Sequence, residues 1–418
     1  MKFLALAISW FITLNIYSQS ILLQPDRVFD GVAMHEGWVV LVEGNTIKAV
    51  GTKNNIQTPA NVQIIDLKGT TLLPGLIEGH SHILLHPYNE VSWDDQVIRE
   101  SQAERVVRAT VHARETLRAG FTTIRDLGSE GADYADVGIK MSIEKGIIPG
   151  PRMIVAGRAI VATGSYGPKG FAPNVQVPLG AEEADGVDNL VKVVRDQIGK
   201  GADIIKVYAD YRWGLNNQAM PTFSIEELKL MVETAQSSGR PVVAHAATAE
   251  GMRRATLAGV ETIEHGDGGT KEVFQLMKER GVALCPTIAA GDAVSQYRGW
   301  KKGVDPEPER IRQKRESVKL ALESGVTIVA GGDVGVFRHG DNARELELMV
   351  AYGMKPLEVL RSATSVNAKV LHLDNLGSIQ PGLLADLIAV QGKPDQQISD
   401  IRKIKLVMKD GKVERLEQ

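Results

Sequence analysis

Between residues 71 and 333 short apolar runs alternate repeatedly with longer stretches of helical periodicity. This alternation constrains the fold most, because parallel strands need crossovers between them and a helix is the usual crossover. Apolar runs near 71, 122, 153, 204, 242, 262, 283 and 327 make eight strand candidates. Helical patterns run from Ala103 to Leu117, over 190–198, over 248–258, over 271–279 and from about Glu307 to Glu323. Ser224 with Glu227 forms a capping box for a further helix, which Gly239 ends. Eight βα units in succession predict an α/β protein closed into a (β/α)8 TIM barrel. An open doubly wound sheet would need a phosphate-binding glycine loop, and no G-x-G-x-x-G follows an early strand.

The flanks differ from this centre. Gly31, Gly37 and Gly44-Asn45 punctuate Val39–Val42 and Ile47–Val50, while Pro381-Gly382 and Asp410-Gly411 punctuate Ala385–Val390 and Ile404–Met408. Both termini therefore read as strands and turns, predicting a small β-sandwich domain built from 19–68 and 374–418 around a barrel of 69–373. Lys2 followed by the apolar stretch Phe3–Ile12 predicts a signal peptide over 1–18, cut near Ser18 or Gln19. The stretch is too short to span a bilayer and holds no cysteine for a lipid anchor. The expectation is an exported, periplasmic protein with no stable membrane insertion once the leader is removed. Cys285 is the only cysteine, so an intrachain disulfide is excluded and burial is expected. A net charge of −3 leaves no electrostatic footprint for nucleic acid.

The ends of the strand candidates carry the chemistry. His80-Ser81-His82 closes the first run, and residues two apart on a strand point to one face, so both imidazoles can reach one metal ion. Later runs end in Lys206, His245, His265 and Asp333, at the barrel face where catalytic groups gather. Four imidazoles and a carboxylate that can also take a proton suit zinc or a comparable divalent ion with a position left for water. Spacing alone does not explain Lys206, which could equally pair with Asp203 or Asp210.

These motifs together resemble the amidohydrolase superfamily, in the branch of imidazolonepropionase-like proteins and metal-dependent Xaa-Pro dipeptidases. The resemblance rests on Asp30-Gly31, Leu73 through His82, Ile205-Lys206-Val207-Tyr208, Val243-Ala244-His245-Ala246, Ile263-Glu264-His265-Gly266, Gly332-Asp333 and Pro381 through Leu387. It implies a pair of divalent ions, zinc by type, with His80, His82 and Asp333 on the inner ion and His245 and His265 on the outer. Lys206, as its carbamate, would bridge them. It further implies that a metal-bridging hydroxide attacks the amide carbonyl of a dipeptide-like substrate, Xaa-Pro or another Xaa-Xaa pair, with Asp333 moving the proton to the leaving amine.

Substrate contacts are expected from the loops. Tyr166 and Lys169 lie in the glycine-rich segment after the third strand, and Tyr208 shares Lys206's strand face, where the resemblance implies a carboxylate-binding tyrosine. Arg212 could receive an anionic substrate end, and His339, after the eighth strand, either touches substrate, as the resemblance implies, or only packs its loop. His112, inside a charged amphipathic pattern, is expected at the surface. Two other functions remain open: a mononuclear cyclic amidohydrolase acting on an imidazolone-like ring, and a noncatalytic small-molecule-binding protein that keeps the fold. The outer helices offer surface for a homo-oligomer.

Overall fold

The computed structural model describes residues 20–417, so the expected leader lies outside the described residues. The chain opens with β1 (Ser20–Phe29), β2 (Met34–Glu36), β3 (Trp38–Glu43), β4 (Thr46–Thr52) and β5 (Gln63–Pro74). The apolar run from Thr71 to Ile77, read above as one strand, is divided. Its first part belongs to β5 and the rest to β6 (Leu76–Ser81), with the Gly75 amide turned to the Asp386 carbonyl at 2.8 Å. The domain limit read at 68/69 therefore falls within β5. Both halves are buried, so hydropathy is continuous across the corner and only Pro74-Gly75 marks it.

From β6 the barrel proceeds through β7 (Phe121–Asp126) and β8 (Arg152–Val155), all parallel. The third position is broken: β8 stops and β9 (Ile160–Val161) resumes, paired with β10 (Glu182–Glu183). β11 (Ile205–Tyr208) joins both pieces, through Val207 opposite Ile160 and through the Asp203 amide donating to the Val155 carbonyl at 2.8 Å. A hairpin of β12 (Asp210–Arg212) and β13 (Ala219–Pro221) rises from its end. β14 (Val242–Ala246), β15 (Thr262–His265) and β16 (Ala283–Cys285) continue the parallel ladder.

The eighth position holds no regular strand. Isolated parallel bridges, Leu284 with Ile328 and Ser81 with Val334, close the ring instead. Close approach explains the irregularity. A Cβ on Gly331 would lie 2.6 Å from Cys285 Sγ and 2.7 Å from the His80 nitrogen, so this segment passes β6 only because residue 331 is glycine. Helices cover the outside as the periodicity predicts. Gln102–Arg118, Ala249–Ala258, Lys271–Arg280 and Glu309–Ser324 match it within a few residues, and the Ser224–Glu227 capping box forms with both hydrogen bonds present, at 3.1 and 2.9 Å.

The C-terminal segment supplies β17 (Leu387–Gln391), β18 (Ile404–Lys409) and β19 (Lys412–Leu416), and the mixed sheet runs β19-β18-β17-β5-β1-β3-β4. The two termini thus share a small β-sandwich domain beside the (β/α)8 barrel. The period of two along β17 fastens one to the other. Leu387 and Ala389 pack with Leu23, Val40 and Val42 inside the small domain, while Ile388 and Val390 join the barrel core with Val407. Fully burying an aliphatic side chain of this size contributes about 1.5–3 kcal/mol relative to exposure, so this single strand is a substantial part of the junction. Among the described residues no helix is long and apolar enough to cross a membrane.

Candidate metal centre

β6, β11, β14 and β15 and the segment after Ile328 all deliver their last residues to one point. Hydrogen bonds hold one ring nitrogen of His80, His82 and His265, and for His80 and His82 they decide which nitrogen is free. His80 Nδ1 lies 2.8 Å from Glu264 Oε2, His82 Nδ1 lies 2.9 Å from the Gly128 carbonyl, and His265 Nδ1 lies 2.7 Å from Thr287 Oγ1. A carboxylate or carbonyl can only accept, so His80 and His82 carry their proton on Nδ1 and offer the Nε2 lone pair. His245 is turned the other way, with Nε2 3.7 Å from Asp210 Oδ1. Asp333 Oδ1 sits 3.6 Å from His80 Nε2 and 3.4 Å from His82 Nε2. One ligand atom each from His80, His265 and Asp333 lies within 4.8 Å of the others. The rings of His245 and His265 are 4.4 Å apart between centroids.

Two of these residues are held in left-handed backbone conformations that side chains other than glycine rarely adopt: His265 at φ +76° and Asp333 at φ +62°. Both are pinned from behind. Lys314 Nζ donates to the His265 carbonyl at 2.8 Å, and the Asp333 amide donates to the His80 carbonyl at 2.9 Å. Such strain persists only where surrounding contacts hold it, and here it aims ligand atoms inward.

The electrostatics favour cations. Burial pushes the proton affinities of His80 and His265 well below that of an ordinary imidazole and brings the His245 pKa down to about 3. All three are thereby neutral, the ligating state. Burial raises the Asp333 carboxyl above the usual range, and its Oδ1 is a buried oxygen with no hydrogen-bond partner. Lys206 is 1 % exposed and makes no hydrogen bond or ion pair to the described residues, and burial lowers its ammonium pKa. The partners that its sequence neighbours suggested are engaged elsewhere. Asp203 binds Lys140 at 2.7 Å, and Asp210 accepts from the Ala247 and Thr248 amides at 2.9 and 2.7 Å. An orphaned carboxylate oxygen facing free imidazole nitrogens is a donor set that fits divalent metal. A second grouping, His80 with Glu264 and Cys285, is less suited. Glu264 is already shared by His80, Thr262 and Arg125, and burial holds the Cys285 thiol protonated.

Above the candidate ligands opens a cavity of about 800 Å³. Tyr166, Lys169, Tyr208 and Arg212 all line it. The Tyr208 ring stacks on His245 at 4.5 Å, and Tyr166 packs 4.8 Å from Tyr208. Lys169 is exposed and donates to the Arg212 carbonyl at 2.6 Å, tying the two loops together. His339 does not reach the cavity, contrary to the contact that the resemblance implies. It is buried behind His82's loop, with Nε2 3.1 Å from the Leu85 carbonyl and its ring stacked 4.4 Å from His112. His112 is accordingly turned inward rather than to solvent, its Nδ1 2.9 Å from the Ile83 carbonyl.

Sequence reasoning missed several contributors. Glu264 and Arg125 orient His80, Thr287 orients His265, and Glu130, Arg298 and Arg310 line the cavity. Glu264 precedes a ligand directly and could have been suspected. Glu130 lies in a loop and has no spacing signature.

Comparison with known proteins agrees with this geometry. A model of the amidohydrolase family matches residues 71–413. The crystal structure of an Xaa-Pro dipeptidase with methionine bound in its active site superposes with a TM-score of 0.84 at 32% identity, covering 94% of this chain and 99% of that one. Ochratoxinase of Aspergillus niger is 30% identical over 364 residues, 80% of this chain and 73% of that protein. Imidazolonepropionase of Deinococcus deserti is 22% identical over 387 residues, 84% of each.

Proposed function

The chain belongs to the amidohydrolase family and is a metal-dependent hydrolase of carbon–nitrogen bonds; on that premise we propose that it cleaves the amide bond of small dipeptides, Xaa-Pro or other Xaa-Xaa, at a two-metal centre. The observation that carries the two-metal form is Lys206, buried close to His80, His245 and His265 with no acidic partner at ion-pair distance among the described residues. A cation there opposes metal binding. Burial favours the neutral amine, which can add to carbon dioxide and release a proton, leaving a carbamate whose oxygens are anionic ligands. His80, His82 and Asp333 would then hold one ion, His245 and His265 the other, and carbamylated Lys206 would join them. The nitrogen-rich donor set favours zinc.

Bound divalent ions supply Lewis acidity to the scissile carbonyl and lower the pKa of water. The residues do the rest. Asp333, with an unpartnered oxygen and a raised proton affinity, is suited to take a proton from the attacking water and hand it to the leaving amine. Arg212, Arg298 and Arg310 place guanidinium groups in the cavity lining that suit a substrate carboxylate. Kinship with the Xaa-Pro dipeptidase supports the dipeptide class, and kinship with imidazolonepropionase supports the second reading, hydrolysis of an imidazolone-like ring at one metal.

The test is reconstitution with metal in the presence of bicarbonate, followed by assays on dipeptides and cyclic ureides. Turnover of dipeptides with about two metal ions per chain, both lost in Lys206→Ala, is the expected result. One ion and undiminished turnover in that variant overturn the two-metal form. The proposal includes export with removal of 1–18, which N-terminal sequencing of the mature protein checks.

A further inference from the structure

Glu130 is a carboxylate that the metal chemistry does not use. It lies in the loop after β7, 3 % exposed, with its backbone in the left-handed region at φ +49°. That conformation is braced. Arg105, itself buried, donates through Nη1 to the Glu130 carbonyl at 2.7 Å, through Nη2 to the Ser129 carbonyl at 3.1 Å and through Nε to the Leu84 carbonyl at 3.1 Å. The side chain is fixed too. Oε2 accepts from Trp93 Nε1 at 2.9 Å and from Tyr166 Oη at 2.8 Å. Oε1 accepts nothing; its nearest basic group is His82 Nδ1 at 3.8 Å, whose proton already goes to the Gly128 carbonyl.

A buried carboxylate with one oxygen saturated and the other open to a cavity is costly unless a cation meets it. No lysine or arginine side chain lies at ion-pair distance from Glu130 among the described residues. Its surroundings suit a small organic cation. The Tyr166 ring that fixes Oε2 stands 5.2 Å from Trp93 and 4.8 Å from Tyr211, so aromatic side chains wall the same spot and no second cation among the described residues occupies it. Position narrows the cation further. Oε1 is 3.8 Å from His82 Nδ1, so a group held there is separated from an ion on His82 Nε2 by little more than the width of one imidazole ring. In a dipeptide the α-ammonium is one carbon from the scissile carbonyl, whereas a lysine or arginine side chain ends several bonds away. Of the cationic lining residues, Lys169 in the Tyr166 loop is turned to the Arg212 carbonyl at 2.6 Å, and Arg212 after β11 and Arg298 and Arg310 after β16 come from other loops, leaving the carboxylate end of a zwitterion its own partners.

We infer that Glu130 binds the protonated α-amine of a free dipeptide and makes an unblocked amino terminus a requirement for efficient turnover. The inference rests on the dipeptide reading above. It is tested on the metal-reconstituted enzyme with three forms of one dipeptide: free, N-acetylated, and the desamino analogue, which is an amide of the same size without the charge. Wild type is expected to show kcat/KM about 10- to 100-fold higher for the free form than for the desamino form, the range of a charge-assisted hydrogen bond. Glu130→Gln should collapse that ratio toward one, largely through KM, while Glu130→Asp, shorter but still anionic, should retain part of it. Thermal unfolding shows whether each variant folds. If Glu130→Gln does not fold, the wild-type ratio and the weaker inhibition by the desamino form still decide the matter. Equal or faster cleavage of the desamino or N-acetyl form by wild type overturns the inference and leaves the amide-hydrolase reading standing. Cleavage of cyclic ureides with no cleavage of any dipeptide form overturns both.

Discussion

The most searching perturbation is Glu264→Gln, because one carboxylate serves two separable purposes. Oε1 accepts from Arg125 at 2.9 Å, and Oε2 lies 2.8 Å from His80 Nδ1; Glu264, Arg125 and His80 are all within 1 % of complete burial. The amide isostere keeps the volume and an acceptor for Arg125 but loses the charge. Removing one partner of a buried ion pair costs about 3–5 kcal/mol, and the retained acceptor puts the expectation at about 3 kcal/mol or somewhat less. The amide nitrogen must then face His80 Nδ1. As a donor it selects the tautomer protonated on Nε2, withdrawing the lone pair that would bind metal. Loss of such an orienting partner typically weakens metal binding about 10- to 100-fold. Urea unfolding of the metal-free protein measures the first effect, and metal titration against a chelator the second. Arg125→Met combined with Glu264→Gln removes the unpaired charge, so it should recover most of the stability and none of the metal affinity. Parallel recovery of both, or Glu264→Gln binding metal as wild type does, would refute the tautomer argument.

Asp333→Asn should reduce kcat about 10²- to 10⁴-fold, as loss of a proton-transfer group does, in steady-state assays at saturating dipeptide. Gly331→Ala places a methyl group 2.7 Å from the His80 nitrogen and 2.6 Å from Cys285 Sγ. Overpacking of this kind costs about 1–3 kcal/mol, so Tm and metal affinity should both fall; an unchanged Tm refutes the close-approach argument. Glu345 is buried, accepts from the Ile288 and Ala289 amides at 3.1 and 2.6 Å, and has its pKa pushed up to about 8 by burial. Between its ordinary value of 4.5 and about 8 the folded state holds a proton that the unfolded state has released. Stability must therefore fall as pH rises through that window and level off above it. Urea unfolding at pH 5 and pH 8 should show a smaller difference for Glu345→Gln than for wild type; an equal difference removes Glu345 from the cause.

Strand runs, helix periods and the Ser224 capping box are local features, and the structure reproduces them with small shifts at their ends. What failed locally failed where neighbours in space decide. The corner at Gly75 is invisible in hydropathy because both sheets bury the chain, and the eighth barrel position is irregular because Gly331 must pass His80 and Cys285. The resemblance offered His339 as a substrate contact, with loop packing as the other reading. Packing against His112 and Leu85 turns it away.

The sequence by itself determined the fold class and which candidate ligands share one face of the barrel. Alternating hydropathy dictates parallel βα units, and such units bring strand ends to one face whatever their side chains. That logic was enough to group His80, His82, Lys206, His245, His265 and Asp333. Tertiary structure alone decided which nitrogen His80 and His82 offer, that Lys206 has no acidic partner at ion-pair distance, and that Glu130 stands open to the cavity. Those properties depend on partners such as Glu264, 184 residues from His80 along the chain, and on burial that only closure of the barrel creates. Local patterning specifies where a side chain is delivered; the charge and hydrogen-bonding state in which it arrives depend on everything packed around it.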